Sequence, residues 1–76
     1  MTTTLTIPRL EMSMTEGTLA EWLAEDGAAV EEGQAIYVLE TNKASQEIEA
    51  PASGKLRRKV DAGATYGVGT EIGEIV

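Results

Sequence analysis

The sequence predicts an all-β fold: a flattened β-barrel or sandwich of two antiparallel sheets, about eight short strands with an internal pseudo-twofold. Three observations lead there. Eight glycines and two prolines cut 76 residues into pieces of strand length and leave little room for helices. Segment 45–50 sets Gln46, Ile48 and Ala50 on one face and Glu47 and Glu49 on the other, the period of a half-buried strand. The glycine pattern also occurs twice. Gly27-Ala-Ala-Val30-Glu-Glu-Gly33-Gln-Ala-Ile36 aligns with Gly63-Ala-Thr-Tyr66-Gly-Val-Gly69-Thr-Glu-Ile72 at an offset of 36, and Gly17-Thr-Leu19 with Gly54-Lys-Leu56 at an offset of 37.

Taken in order, Leu5 and Ile7 alternate with threonines, a first strand. Residues 18–26 carry two conflicting signals. Thr18 with Glu21 makes a capping box, Leu19, Trp22 and Leu23 share a helical face, and Gly27 suits a C-cap. Its counterpart, 55–62, contains Arg57, Arg58, Lys59 and Val60 and has no such stripe. Two copies should share one local structure, so the repeat predicts strand in both. The second copy is one residue shorter there. Segment 35–39, Ala-Ile-Tyr-Val-Leu, is β-branched and aromatic, and Ile72 and Ile75 supply the closing strand.

The whole chain, 1–76, reads as one domain of two quasi-repeats, about 7–40 and 45–76. Each repeat leaves its apolar face uncovered, so the two are expected to pack face to face. Leu19, Val30, Ile36, Val38, Ile48, Leu56, Val60, Ile72 and Ile75 are the expected core. Trp22 is expected at the barrel edge, and Gly33 and Gly69 are expected in turns with positive φ.

Composition removes several functions. There is no His and no Cys, hence no Ser-His-Asp or Cys-His nucleophile, no thiolate zinc site and no disulfide framework. An enzyme in its own right would need titratable groups in a pocket, which this composition barely supplies. Thirteen acids against six cations give a net charge of −7, which argues against nucleic acid and against an anionic membrane surface. No apolar run approaches the roughly 20 residues of a membrane span. The expected setting is cytoplasmic (bacterial-type) or an equivalent reducing compartment.

The repeats join at Glu40-Thr41-Asn42-Lys43-Ala44-Ser45. Asn bonds its neighbouring backbone and tolerates tight turns, so this is a hairpin with Lys43 at or beside its tip. Of three lysines, Lys55 and Lys59 fall in the basic run 55–59, which holds four of the six cations. Lys43 is thus a solitary amine between Glu40 and Glu47 on an acidic body. The bland reading is a solvated hairpin lysine; the sharper one is an amine presented for acylation. A lysine pKa near 10.4 leaves little neutral amine at pH 7, and no base is evident beside it, so Lys43 is a substrate position and not a catalytic one.

From Ile7 to Ile75 the chain resembles the lipoyl domain of the acyltransferase component of 2-oxo acid dehydrogenase complexes. Ile7-Pro8-Arg9-Leu10-Glu11-Met12-Ser13-Met14-Thr15-Glu16-Gly17-Thr18 is similar to that family's first strand and exposed loop. Trp22-Leu23, Glu25-Asp26-Gly27 and Val30-Glu31-Glu32-Gly33 match its next segments. Glu40-Thr41-Asn42-Lys43-Ala44 is similar to the attachment turn, and Glu47, Glu49, Pro51 and Gly54 continue the pattern. The resemblance implies a carrier with lipoic acid in amide linkage to Lys43, read through the turn residues Glu40, Thr41, Asn42 and Ala44 and the loop Glu11, Met12, Ser13 and Met14. It implies four partners: a lipoate-attaching enzyme, a thiamine-diphosphate 2-oxo acid decarboxylase, an acyltransferase core and dihydrolipoamide dehydrogenase.

The carrier would be a swinging arm, moving acyl groups and reducing equivalents between those components, with the hard chemistry left to cofactor and partners. The chain departs from the family's pattern in three places. The second copy is one residue short between Gly54 and Gly63, with Arg58 or Lys59 in place of an apolar residue, so a lost bulge or a less buried strand is expected there. The other two bear on recognition. Asn42 stands where the family usually has Asp, and Glu11 where it commonly has Gly, in a loop expected close to the lysine turn. The alternatives are a biotinyl carrier domain, whose family flanks its lysine with Met where Asn42 and Ala44 stand here, and an unmodified barrel interaction module.

Overall fold

The computed structural model describes residues 2–76. Among them are eight strands and no helix: β1 (Thr3–Thr6), β2 (Glu16–Trp22), β3 (Ala29–Val30), β4 (Ala35–Glu40), β5 (Ser45–Glu49), β6 (Gly54–Arg58), β7 (Ala64–Gly67) and β8 (Glu71–Ile75). They pair antiparallel in two four-stranded sheets, ordered β1-β8-β6-β3 and β5-β4-β2-β7. The sheets do not close on one another, so the fold is a flattened sandwich.

The two repeats, β1–β4 and β5–β8, interlace. Each sheet takes its inner pair from one repeat and its outer pair from the other. The expected face-to-face packing of intact copies is therefore corrected: neither copy forms a sheet alone, because its outer strands find backbone partners only in the other. The pseudo-twofold reaches individual hydrogen bonds. Gly27 N–H donates to Leu56 O (2.6 Å) as Gly63 N–H does to Leu19 O (2.7 Å). Gly33 N–H donates to Ala50 O and Gly69 N–H to Ile7 O, both 2.9 Å. Gly33 and Gly69 have φ of 89° and 90°, the left-handed turn conformation expected of them.

Residues 16–22 form an inner strand despite their helical cues. Propensity is worth tenths of a kcal/mol per residue and yields to tertiary pairing. Here β2 is hydrogen-bonded on both sides, to β4 and β7. The register between β2 and β4 slips after Leu19, with Leu19 opposite Leu39 and Glu21 opposite Val38, so Ala20 is an extra residue. The equivalent pairing of β6 with β8 runs Leu56–Ile75, Arg57–Glu74, Arg58–Gly73 without a slip. The residue missing from the second copy is this bulge.

Six expected core residues, Leu19, Val30, Ile36, Leu56, Ile72 and Ile75, are buried, joined by Leu5, Ile7, Met14, Tyr37, Leu39 and Ala50. Val38, Ile48 and Val60 are only half-buried. For Val38 the cause is a register shift between Ala35 and Tyr37 against β5. It reverses the alternation after Ile36, so Tyr37 and Leu39 turn inward and Val38 outward. Trp22 is a strand residue, half-buried at the end of β2. Its ring meets Tyr37 edge-on at 5.5 Å, and the Arg58 guanidinium lies 5.6 Å from its centroid. Trp22 and Arg58 are repeat mates: Trp22 Nε1 donates to Val60 O (3.0 Å) and Arg58 Nη1 reaches Ala24 O (3.5 Å). The pair sits where the two repeats cross.

Burial pushes the Tyr37 hydroxyl up from 10.0 to about 12. The folded state holds the neutral phenol, so its contribution is intact below pH 10 and lost as pH climbs from 10 through 12. The Lys59 ammonium is also raised, chiefly by its hydrogen bond to Glu71. The comparison must therefore isolate the phenol. Thermal melts from pH 9 to 12 should show a midpoint that falls more steeply for the native chain than for Tyr37→Phe; equal slopes contradict the assignment.

Candidate functional site

The β4–β5 hairpin carries the site. Thr41 N–H donates to Ala44 O (2.9 Å), so Asn42 and Lys43 are its two tip residues. Among the described residues no non-glycine residue has positive φ, so the hairpin does not draw on the tight-turn dihedrals that asparagine tolerates. Thr41 does that work instead. Its Oγ1 accepts from Lys43 N–H and Ala44 N–H, each 3.3 Å, and donates to Ala44 O at 3.2 Å. Thr41 was singled out as a turn residue, but its role as the lock was missed. A threonine hydroxyl immediately before a two-residue turn tip is the signal that could have revealed it.

On this turn the Lys43 side chain is 74% exposed, and its Nζ lies 3.3 Å from Glu11 Oε2. The carboxylate that reaches the amine is thus Glu11, not Glu40 or Glu47, which flank it in sequence and are exposed. Glu11 comes from the β1–β2 connection, residues 7–15, nine residues against the four of its repeat mate, 50–53. That extra length is folded back by Met14, which is buried. Its Sδ accepts from Leu10 N–H (3.2 Å) and its N–H donates to Glu11 O (3.1 Å). Met12, between these anchors, is 94% exposed, and Ser13 is exposed.

Loop and hairpin together enclose an open depression of about 490 Å³, lined mainly by polar groups that include Glu11, Ser13, Thr41 and Lys43. The structure thus brings Glu11, Ser13, Met14, Glu40, Thr41, Asn42 and Lys43 to one depression. Met14 serves from beneath. A lone buried methionine in a loop has no periodicity to betray it.

The two sheets differ in charge. Glu16, Glu21, Glu40 and Glu47 are exposed on the sheet that bears the hairpin, whereas on the other Lys55, Arg57 and Arg58 of β6 lie beside Glu71 and Glu74 of β8. Among the described residues no cluster of acids, His or Cys has the form of a metal site. An amide-linked group fits: the amine is exposed, its turn is fixed by four hydrogen bonds, and among the described residues its one polar contact is a solvated ion pair.

Replacing Thr41 with Val keeps the shape of the side chain and deletes these hydroxyl bonds. We expect a loss of about 1 kcal/mol in stability and faster amide exchange at residues 42–44, read by chemical denaturation and hydrogen exchange. An unchanged exchange rate there contradicts the lock.

A sandwich of two interlaced repeats that holds one exposed lysine on the hairpin between them defines a scaffold for presenting an amine. Comparison with known proteins places it. The chain belongs to the biotin–lipoyl attachment family, whose model, described as "Biotin-requiring enzyme", matches residues 3–75. It is 46% identical over 57 residues to the dihydrolipoyllysine-residue acetyltransferase component of the acetoin cleaving system of Pseudomonas putida, covering 75% of this chain and 15% of that protein. It is 43% identical over 70 residues to the dihydrolipoyllysine-residue succinyltransferase component of the 2-oxoglutarate dehydrogenase complex of Bacillus subtilis, covering 91% and 17%. The acetyltransferase component of the pyruvate dehydrogenase complex of Rhizobium meliloti is 41% identical over 64 residues, covering 84% and 14%. The chain thus spans less than a fifth of the length of these relatives.

Proposed function

We propose that this chain is a lipoyl carrier domain in which Lys43 is the attachment residue and lipoic acid the passenger. It acts as a swinging arm for a 2-oxo acid dehydrogenase-type complex, in a reducing compartment of the cytoplasmic kind. The observation that carries this reading is the exposed Lys43 amine at the apex of a hairpin locked by Thr41, in a chain whose relatives bear dihydrolipoyllysine in their names.

The chain's own residues do three things. The sheets fix the Cα of Lys43, leaving the side chain to sweep. The exposed acids of the hairpin-bearing sheet steer that end toward basic partner surfaces, an effect that weakens as salt rises. Lys43 Nζ forms the amide, giving up protons as the leaving group departs from the activated carboxyl. The bound group, for its part, supplies a disulfide that takes an acyl group and electrons. Holding the arm on one scaffold turns encounters among decarboxylase, acyltransferase core and dihydrolipoamide dehydrogenase into intramolecular visits at raised effective concentration.

Intact mass measured after parallel incubations with ATP separates the readings: lipoate with a lipoate ligase in one, biotin with a biotin ligase in the other. We expect one lipoyl group added and no biotin. Biotin alone identifies a biotinyl carrier, and no addition in either arm identifies an unmodified module.

A further inference from the structure

We propose that Glu11 makes the β1–β2 loop a reader of the state of Lys43: held against the hairpin while the amine is free, released once the amine is acylated. The inference deepens the carrier reading and rests on it only for the identity of the acyl group.

Among the described residues, the Glu11–Lys43 ion pair is the one hydrogen bond or ion pair joining loop to hairpin tip. The loop is otherwise pinned from below, at Met14 and at Ile7, whose N–H donates to Thr70 O at 3.0 Å. Between those pins stand Leu10 and Met12, two exposed apolar side chains. Met14 holds this segment folded through Leu10 N–H and Glu11 O, so the contact that the modification alters is the one that ties the folded segment to the hairpin.

Acylation forms a C–N bond at Nζ and breaks the bond from acyl carbon to leaving group, which departs with its electron pair, while two protons leave the ammonium. A cation with three N–H donors becomes a neutral amide with one. Glu11 keeps at most a weak hydrogen bond and loses its counter-charge. Its carboxylate, already side by side with Leu10 and Met12 in sequence, is then free for a cation on a partner that handles only the loaded arm. Such a partner presents a basic group beside an apolar patch. An enzyme that loads the arm must, conversely, first break this pair.

The test uses Nε-acetyl-lysine installed at position 43 during translation, so that it answers whether or not the chain is lipoylated. Amide hydrogen exchange is followed at residues 10–13 in the native chain, in Glu11→Gln, and in both with acetyl-lysine at 43. An exposed ion pair predicts a rise of roughly two- to five-fold on acetylation of the native chain. Unmodified Glu11→Gln should already show that rise, with no further change on acetylation, and exchange in β4 and β5 should stay constant throughout. No rise in the native chain, or an equal rise in Glu11→Gln on acetylation, overturns the proposal. Failure to lipoylate Lys43 would overturn the carrier reading while leaving this result standing.

Discussion

Lys43→Arg will abolish covalent loading and leave the fold intact. Arginine keeps the positive charge and can keep the pairing with Glu11, whose 3.3 Å contact is solvent-exposed and worth less than about 1 kcal/mol in any case. What it removes is a nucleophile, since a guanidinium stays protonated at any working pH. Denaturation curves should therefore superimpose while the mass increment disappears. Moving the amine is the sharper version. Asn42→Lys in a Lys43→Arg background keeps a lysine on the same two-residue tip but moves the amine one residue along the chain, off the position that pairs with Glu11. Loading of that variant should fall by at least about tenfold, the cost of misplacing a reacting group. Loading at an undiminished rate would mean that the ligase reads only an exposed amine.

The second large effect is on stability. Leu19 and its repeat mate Leu56 are both fully buried, one on an inner strand of each sheet. Truncating either to Ala should cost about 2–5 kcal/mol. A 76-residue domain has roughly 4–11 kcal/mol in all, so either variant lies near the edge of folding and the pair together should not fold. The pseudo-twofold predicts similar losses for the two sites. Val38→Ala should cost less than about 1 kcal/mol, because the register shift in β4 turns Val38 outward. Urea denaturation midpoints decide this. A loss at Val38 as large as at Leu19 would mean that β4 is packed in the unshifted register.

That contrast marks where sequence reading stops. The all-β fold, the repeat and the shortened second copy were legible because glycine spacing and period-two alternation are local signals. The repeat even overruled the helical cues of residues 18–26, which β2 bears out. The facing of Val38 was not legible, since a bulge is set by which partner strand is present and not by the strand's own pattern. Nor was the interlacing of the copies, which depends on pairings distant in sequence.

At the site, Lys43 on a hairpin and Glu11 close by were both readable, the first from turn chemistry and its isolation among cations. The division of labour was not. Thr41 holds the turn attributed to Asn42, and the buried Met14, one loop residue among several, is what brings Glu11 to the amine.

A single amine, Lys43 Nζ, is the place of attachment in the proposed carrier. Peptide-level mass spectrometry of the chain after lipoate, ATP and ligase, covering Lys43, Lys55 and Lys59, tests it most directly. We predict a lipoyl group on Lys43 in every modified molecule and none on the β6 lysines. Modification at Lys55 or Lys59, or a chain that emerges unmodified, would contradict it.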